Sequence, residues 1–297
     1  MNPFSETLEV EVEGGALHVR RAGASPADAE AVVVAAHGIT ASHMGWQAVV
    51  RELLERRPEV CVLAPDLRGR GKSASVGPPR GSLEAHADDV IAVLDQAGAE
   101  RAVLTGHSMG AYVVARAAVA APSRAGAVVL VDGGLPVVLP EGVAPDAALD
   151  AFLGPALERL RMTFDTPEDY VAFWQQHPAF TGRWNDDVEE YVRYDLGSDG
   201  RSVVSEDAVR ADGAELIMDG TSNAAASQVT APLWLLRAPR GLLDDDPFIP
   251  LEALLGFKEA QPNATIEEVK DVNHYTIVLG AGAGRVAAAL DDAVGVL

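Results

Sequence analysis

Gly106-His107-Ser108-Met109-Gly110 fits the pattern G-x-S-x-G, and its surroundings decide how the chain is read. The apolar run Ala102 to Thr105 precedes it and predicts a strand; the Ala/Val-rich stretch Ala111 to Ala121 follows and predicts a helix. A serine on a tight strand-to-helix turn is forced out of regular structure, so its hydroxyl stands exposed at the top of a sheet. The flanking glycines answer the crowding of the backbone, where any Cβ would clash. The helix that follows aims its first N–H groups and its positive end at the place where an oxyanion would form. Ser108 is therefore the candidate nucleophile.

Working outward, Leu8 to Val12 alternates apolar and acidic residues, Gly14-Gly15 follows, and Ala16 to Arg20 completes an antiparallel hairpin pattern. Ala31 to Ala36, Val60 to Pro65, Ala127 to Val131, Leu233 to Ala238 and Ile266 to Lys270 read as further strands, the first three as runs buried on both faces. Trp46 to Arg57, Leu83 to Ala97 (with Ser82 as N-cap), Leu251 to Ala260 and Gly282 to Val296 read as helices between or after them. Such alternation predicts a mostly parallel sheet covered on both faces. It breaks between Gly133 and about Gln228, where only helix-like segments are found. A core formed by 1–132 and 229–297 with a helical insertion at 133–228 is the expected organisation.

The chain has 297 residues, 48% of them hydrophobic, and a formal net charge of −21. That charge argues against nucleic acid or an anionic membrane as partner. It marks solubility and identifies no substrate. No run of about 18 apolar residues is present, so no transmembrane helix is expected. Met1 to Glu6 lacks a basic start and an apolar stretch, so no signal peptide is read there and a cytoplasmic protein is the expectation. The single Cys61 lies in an apolar strand and reads as a buried small hydrophobe; with no H-E-x-x-H and no cysteine cluster, neither metal nor cofactor is implied. A homo-oligomer is compatible with all of this.

The order of elements resembles the α/β-hydrolase fold over nearly the whole chain. The likeness rests on His37-Gly38 after an early strand, the elbow at Ser108, acidic residues after Leu233 to Ala238, and Asn273-His274 after the last strand. It implies a mostly parallel eight-stranded sheet with helices on both faces and a helical cap inserted after the sixth strand. Asp66-Leu67-Arg68-Gly69-Arg70-Gly71-Lys72-Ser73 is similar to the family's D-x-R-G-x-G-x-S turn and reads as a structural loop rather than a phosphate site.

A serine hydroxyl needs a base, and a histidine serves near neutral pH. The resemblance places that base at His274. His107 and His37 read as structural, and His43 as a residue that borders the pocket. The acid must reach the base and hold its tautomer. Three positions are open. Asp244 is the first choice, because Arg237 to Asp244 resembles a variant loop that keeps its first aspartate. Asp246 is next, because Asp246-Pro247-Phe248-Ile249-Pro250 resembles the common D-x-x-V-P ending. Asp132, at the end of the sixth strand, is third. The resemblance makes the backbone N–H groups of Ile39 and Met109 the oxyanion hole, with Thr40 able to add a hydroxyl.

Aromatic side chains, sparse elsewhere, concentrate between Phe152 and Tyr194. Most must close the thin core of a small cap. A cap over a nucleophile also walls a ligand pocket. Two or three of Phe173, Trp174, Phe180, Trp184 and Tyr191 are expected to touch substrate, with Leu135 and Tyr275 flanking. The sequence thus reads as a capped serine hydrolase cleaving a carboxylic ester or lactone of a medium-sized, largely apolar small molecule through an acyl-enzyme. The alternatives are hydrolysis of a carbon–carbon bond in a diketone-type substrate and a ligand receptor with a relic triad. Epoxide hydrolases and haloalkane dehalogenases of this fold normally carry aspartate where Ser108 stands.

Overall fold

Ala31 to Ala36 form strand β3 (Ala31–Ala36), buried along its whole length. Val32, Val34 and Ala36 face one apolar cluster, and Ala31, Val33 and Ala35 face the other. This is the period-two alternation of a strand at the centre of a sheet that is covered twice. A computed structural model provides the structure; it describes residues 2–77, 82–137 and 145–297, without the side chains of 82, 145–146 and 148–152.

The hairpin forms as β1 (Glu6–Val12) and β2 (Gly15–Gly23), paired antiparallel. With β4 (Val60–Pro65), β5 (Ala102–His107), β6 (Ala125–Val131), β7 (Leu233–Arg237) and β8 (Thr265–Glu268), the strands make one eight-stranded sheet in the order β1-β2-β4-β3-β5-β6-β7-β8. β2 pairs antiparallel with β4, and every pair from β4 to β8 is parallel. Helices α1 (Gln47–Arg56), α2 (Ser82–Gln96) and α3 (Met109–Ala120) connect the parallel strands. Ser82 is the first residue of α2; its side chain, expected as the N-cap, lies outside the described residues.

Between β6 and β7 the described residues form α4 (Pro145–Arg161), α5 (Pro167–Gln175), α6 (Asp186–Asp195), α7 (Glu206–Met218) and α8 (Gly220–Gln228). No named strand is found there among the described residues, as the lost alternation predicts. A capping box starts α5: Thr166 accepts from the Asp169 N–H, and Asp169 accepts from that of Thr166. These helices do not close a core of their own. Leu153, Leu157 and Val209 join the cluster on one side of the sheet, and Tyr170, Trp174, Val188 and Tyr191 join the other. The expected aromatic Phe152 falls outside the described side chains.

After β7 come α9 (Leu251–Ala260), β8, a short helix α10 (Thr276–Leu279) and α11 (Ala283–Val294). The helix at Thr276 was not anticipated. Asn273 starts it, its Oδ1 accepting from the backbone N–H groups of Tyr275 (3.1 Å) and Thr276 (3.0 Å). Among the described residues no helix is long and apolar enough to cross a membrane. Cys61 is fully buried, and burial pushes its thiol up to about 11.

Candidate active site

β5 extends through Gly106 and His107, and α3 begins at Met109, so Ser108 alone makes the turn. Its φ of 55° and ψ of −122° are strained for a residue with a side chain. The glycines are needed for contact reasons. A Cβ at Gly106 would lie 2.1 Å from the Gly110 carbonyl oxygen, and one at Gly110 would lie 2.2 Å from that of Ala36. The Ser108 N–H donates to the Val131 carbonyl at 3.0 Å, which fastens the elbow to the end of β6.

Asp132 follows directly, also in the left-handed region with φ 44°. Its carboxylate is fully buried. Oδ1 accepts from the Ala238 N–H at 3.0 Å, and Oδ2 lies 2.8 Å from His274 Nδ1. A buried carboxylate beside an imidazole nitrogen fixes the tautomer with the proton on Nδ1, leaving Nε2 as the basic nitrogen. His274 and Ser108 line one small pocket of about 40 Å³ with Gly38, Ile39, His107 and Tyr191.

The first-choice acids do not meet His274. Asp244 accepts from Asn273 Nδ2 at 2.9 Å and pairs with Arg183 (3.3 Å) and Arg240 (3.2 Å). It is therefore a brace across the loop after β7. Asp246 is exposed and lines a larger cavity. The ranking of Asp244 and Asp246 above Asp132 is reversed by the geometry: the partner of His274 is the third candidate. The physical reason is that β6 ends against the elbow. A Cβ at Gly133 would sit 2.2 Å from the Ser108 carbonyl oxygen, so the residue before it is carried to the imidazole.

Two more histidines hold the parts in place. His107 Nε2 donates to the His274 carbonyl at 2.8 Å. Burial, then the neighbouring His274, holds its pKa well below the ordinary value, so it stays neutral. His37 Nε2 accepts from the Leu67 N–H at 2.9 Å while its Nδ1 donates to the Gly38 carbonyl at 2.8 Å. Burial pushes the His37 pKa down to about 3, as this arrangement requires, because a second proton would break the bond from Leu67. The Gly38 carbonyl and the Ile39 N–H belong to one peptide plane. Since His37 and the Ala41 N–H (3.1 Å) anchor the carbonyl, they also aim the Ile39 N–H the opposite way. Met109, the first residue of α3, has an N–H with no acceptor inside the helix. Gly38 admits the close approach: a Cβ there would be 3.2 Å from that of Ser108.

The turn after β4 is structural. Asp66 accepts from the His43 N–H (2.9 Å), His43 Nδ1 (2.8 Å), the Lys72 N–H (2.9 Å) and the Tyr194 hydroxyl (2.6 Å). Burial alone would raise its pKa, but the hydrogen bonds and charge of His43 hold it far below the carboxylate range. His43, expected at the pocket, is used up here. Arg68 forks onto Asp89 at 2.6 and 2.7 Å, and Arg70 Nε donates to the Ile39 carbonyl at 2.8 Å.

A cavity of about 700 Å³ adjoins the small pocket through Thr40, Leu242 and Tyr275, which line both. Leu135, Phe173 and Trp174 are on its wall. Tyr191 lines only the small pocket. Phe180 and Trp184 line neither; Phe180 packs behind Trp174 and Tyr275, with ring centroids 5.9 and 5.2 Å away, and Trp184 packs on Phe180. Sequence reasoning missed Arg159, His177 and Phe248 on the cavity wall. Nothing local distinguishes Arg159 from the exposed arginine two residues on. Phe248 carried a signal: it lies in the loop beyond a parallel strand's carboxyl end, where ligands bind in such sheets.

This sheet order, with a strained serine at the β5–α3 turn and a histidine held by an acid from the end of β6, defines an α/β-hydrolase fold. A family model described as "Alpha/beta hydrolase family" matches residues 33–289, and the chain belongs to that family. It is similar to the protein named Lipase LipV of Mycobacterium tuberculosis, 34% identical over 137 residues (46% of this chain, 48% of that one). It is also similar to Epoxide hydrolase A of the same organism, 33% identical over 193 residues (63% of this chain, 53% of that one). The chain thus spans about half the length of these relatives. Among solved structures, E-2-(acetamidomethylene)succinate hydrolase superposes with a TM-score of 0.74 at 21% identity, over 96% of this chain and 98% of that one, a likeness of fold.

Proposed function

We propose that the protein is a serine hydrolase that cleaves a carboxylic ester through an acyl-enzyme. The observation that carries this reading is the 2.8 Å contact between His274 Nδ1 and Asp132, with His274 sharing a 40 Å³ pocket with the strained Ser108. In this scheme His274 Nε2 takes the Ser108 proton as Oγ attacks the acyl carbon. Asp132 stabilises the imidazolium. The Ile39 and Met109 N–H groups receive the oxyanion. His274 then gives its proton to the leaving alcohol, and a water activated by the same nitrogen clears the acyl group.

The helices α4 to α8 act as a cap. The 700 Å³ cavity beneath it suits a medium-sized ligand. Thr40, Leu135, Phe173, Trp174 and Tyr275 contact the substrate from its walls, with Tyr191 at the reacting end. Phe180 and Trp184 support those residues from behind. A relative named as a lipase is in keeping with ester cleavage. A serine at the elbow separates this chain from an attack by carboxylate on an epoxide.

The test is hydrolysis of p-nitrophenyl esters of increasing acyl length by wild type and Ser108→Ala. Turnover by the wild type that vanishes in the variant is the expected result. Equal turnover by both would refute the assignment. Labelling of Ser108 by a fluorophosphonate without ester turnover would redirect the reading to carbon–carbon cleavage.

A further inference from the structure

The cavity wall contains a charge that the proposed ester chemistry does not use. Arg159, on α4, is 4% exposed and lines the 700 Å³ cavity. One of its nitrogens is committed to the fold: Nη1 donates to Asp195 Oδ2 at 2.6 Å and to the Tyr170 hydroxyl at 2.5 Å, tying α4 to α5 and α6. Asp195 is also held by two other donors: the Tyr170 hydroxyl donates to Oδ2, and Ser202 Oγ donates to Oδ1 at 2.8 Å. The guanidinium carbon sits 5.0 Å from the ring centre of Trp174, itself a cavity residue. Arg159 Nη2 is buried and has no hydrogen-bond partner among the described residues.

Buried guanidinium N–H groups are costly to leave unpaired, and native proteins seldom do so without a functional reason. The cavity adds a second donor. His177 Nδ1 accepts from the Ala179 N–H at 3.3 Å, so the neutral ring carries its proton on Nε2. Burial, then the charge of Arg159, pushes the His177 pKa down to about 4, which keeps the ring neutral. The acidic groups on the same cavity, Asp245 and Asp246, are exposed, where solvent screens them. The buried part of the wall offers hydrogen-bond donors, with the charge of Arg159 balanced by Asp195 and the ring of His177 neutral.

We infer that the cavity holds a carboxylate subsite, in which Arg159, through its unpartnered Nη2, and His177 on the same wall receive a carboxylate at the end of the substrate remote from the ester. The inference rests on the esterase reading and narrows it: the substrate is a monoester of a dicarboxylic acid or an ester of similar reach, apolar in the middle and anionic at one end. Trp174 and Phe173 line the path of the apolar part. Planar, charged pairing of this kind selects by geometry as well as by charge.

The test uses mono-p-nitrophenyl esters of succinic, glutaric, adipic and pimelic acid beside the same compounds methylated at the far carboxyl. At one chain length the free acid should exceed its neutral partner in kcat/KM by about tenfold or more, chiefly through KM. Arg159→Gln should bring that ratio near one, and Arg159→Lys should keep part of it. If Arg159→Gln fails to fold because Asp195 is left unpaired, the double variant Arg159→Gln with Asp195→Asn removes both charges and reads the same ratio.

Calorimetric binding of the matching unreactive monoanilides, as acids and as methyl esters, separates the subsite from the chemistry. Arg159-dependent preference for the acid anilide without ester turnover would keep the subsite and overturn the esterase. Ester turnover with no acid preference at any length, in rate or in binding, would overturn the subsite, leave its nitrogen to water, and leave the esterase standing.

Discussion

Asp132 and His274 are separated by 142 residues in sequence and by 2.8 Å in space. The contact joins the end of β6 to the loop after β8, and it is the link on which the proposed acid–base chemistry depends. Replacing the carboxylate by an amide keeps an acceptor for the Ala238 N–H but inverts the tautomer preference of the imidazole. Asp132→Asn should lower kcat by about 10⁴-fold, the scale seen when a triad aspartate becomes an amide. Asp244→Asn and Asp246→Asn should change kcat by less than about tenfold. Steady-state kinetics on one ester with all three variants checks this, and a greater loss in Asp244→Asn than in Asp132→Asn would transfer the role back to the loop.

Ser108 should carry a measurable conformational cost. With φ at 55° any Cβ is strained, and the strain is relieved by glycine but not by alanine. Ser108→Gly should be more stable than Ser108→Ala by about 1 kcal/mol, although both lack the hydroxyl. Denaturant unfolding of the two variants decides the matter. Alanine equal to or more stable than glycine would mean that the turn is not strained.

His37 acts by aiming a peptide. His37→Ala leaves the Gly38 carbonyl with the Ala41 N–H alone and removes the acceptor of the Leu67 N–H, so the Ile39 N–H, the proposed oxyanion donor, is held less firmly in its direction. Loss of one oxyanion donor costs about 10²- to 10³-fold in kcat with little change in KM. A variant that raised KM alone would show that this peptide positions substrate and does not stabilise the oxyanion.

The same histidines set a pH limit. His37 has its pKa pushed down to about 3 by burial, and His107 is held well below the ordinary value for the same cause. Below pH 6.5 the unfolded chain takes up protons that these folded rings refuse. Their contribution is therefore complete above pH 6.5 and is lost progressively below it, for His37 as pH falls toward about 3. Each costs about 1.4 kcal/mol per pH unit once the pH is well below 6.5. Melting temperature should be flat from pH 8 to 7 and fall between 6.5 and 5, before the carboxylates titrate. A constant melting temperature down to pH 5 would contradict neutral buried histidines.

Trp174 and Phe173 should govern chain-length preference. Truncating either to alanine enlarges the large cavity and not the small pocket that holds Ser108, so the optimum acyl length should move up with kcat on short esters changed by less than about threefold. Trp184→Ala, behind the wall, should leave the length profile in place. Identical profiles for all three would separate the cavity from acyl recognition.

The sheet was legible because buried parallel strands must be continuous apolar runs, and Ala31 to Ala36 and Val60 to Pro65 have no other use. The serine was legible because only glycines fit at Gly106 and Gly110. The carboxylate partner of His274 was not, because that depends on which strand end comes against the elbow, and three aspartates in one loop drew the weight away from Asp132. A physical hint did exist in Asp132-Gly133-Gly134, two glycines after a buried strand, which mark a close backbone approach. The cavity wall was half legible. Aromatics announce a pocket but not which of them face it, and an arginine such as Arg159 shows its burial only in three dimensions.

The most direct measurement is rapid-quench mass spectrometry of the wild type mixed with a p-nitrophenyl ester it hydrolyses. The account predicts a transient mass increase equal to one acyl group, located on the peptide that contains Ser108 and absent from Ser108→Ala. Turnover without any adduct, or an adduct on another residue, would contradict it.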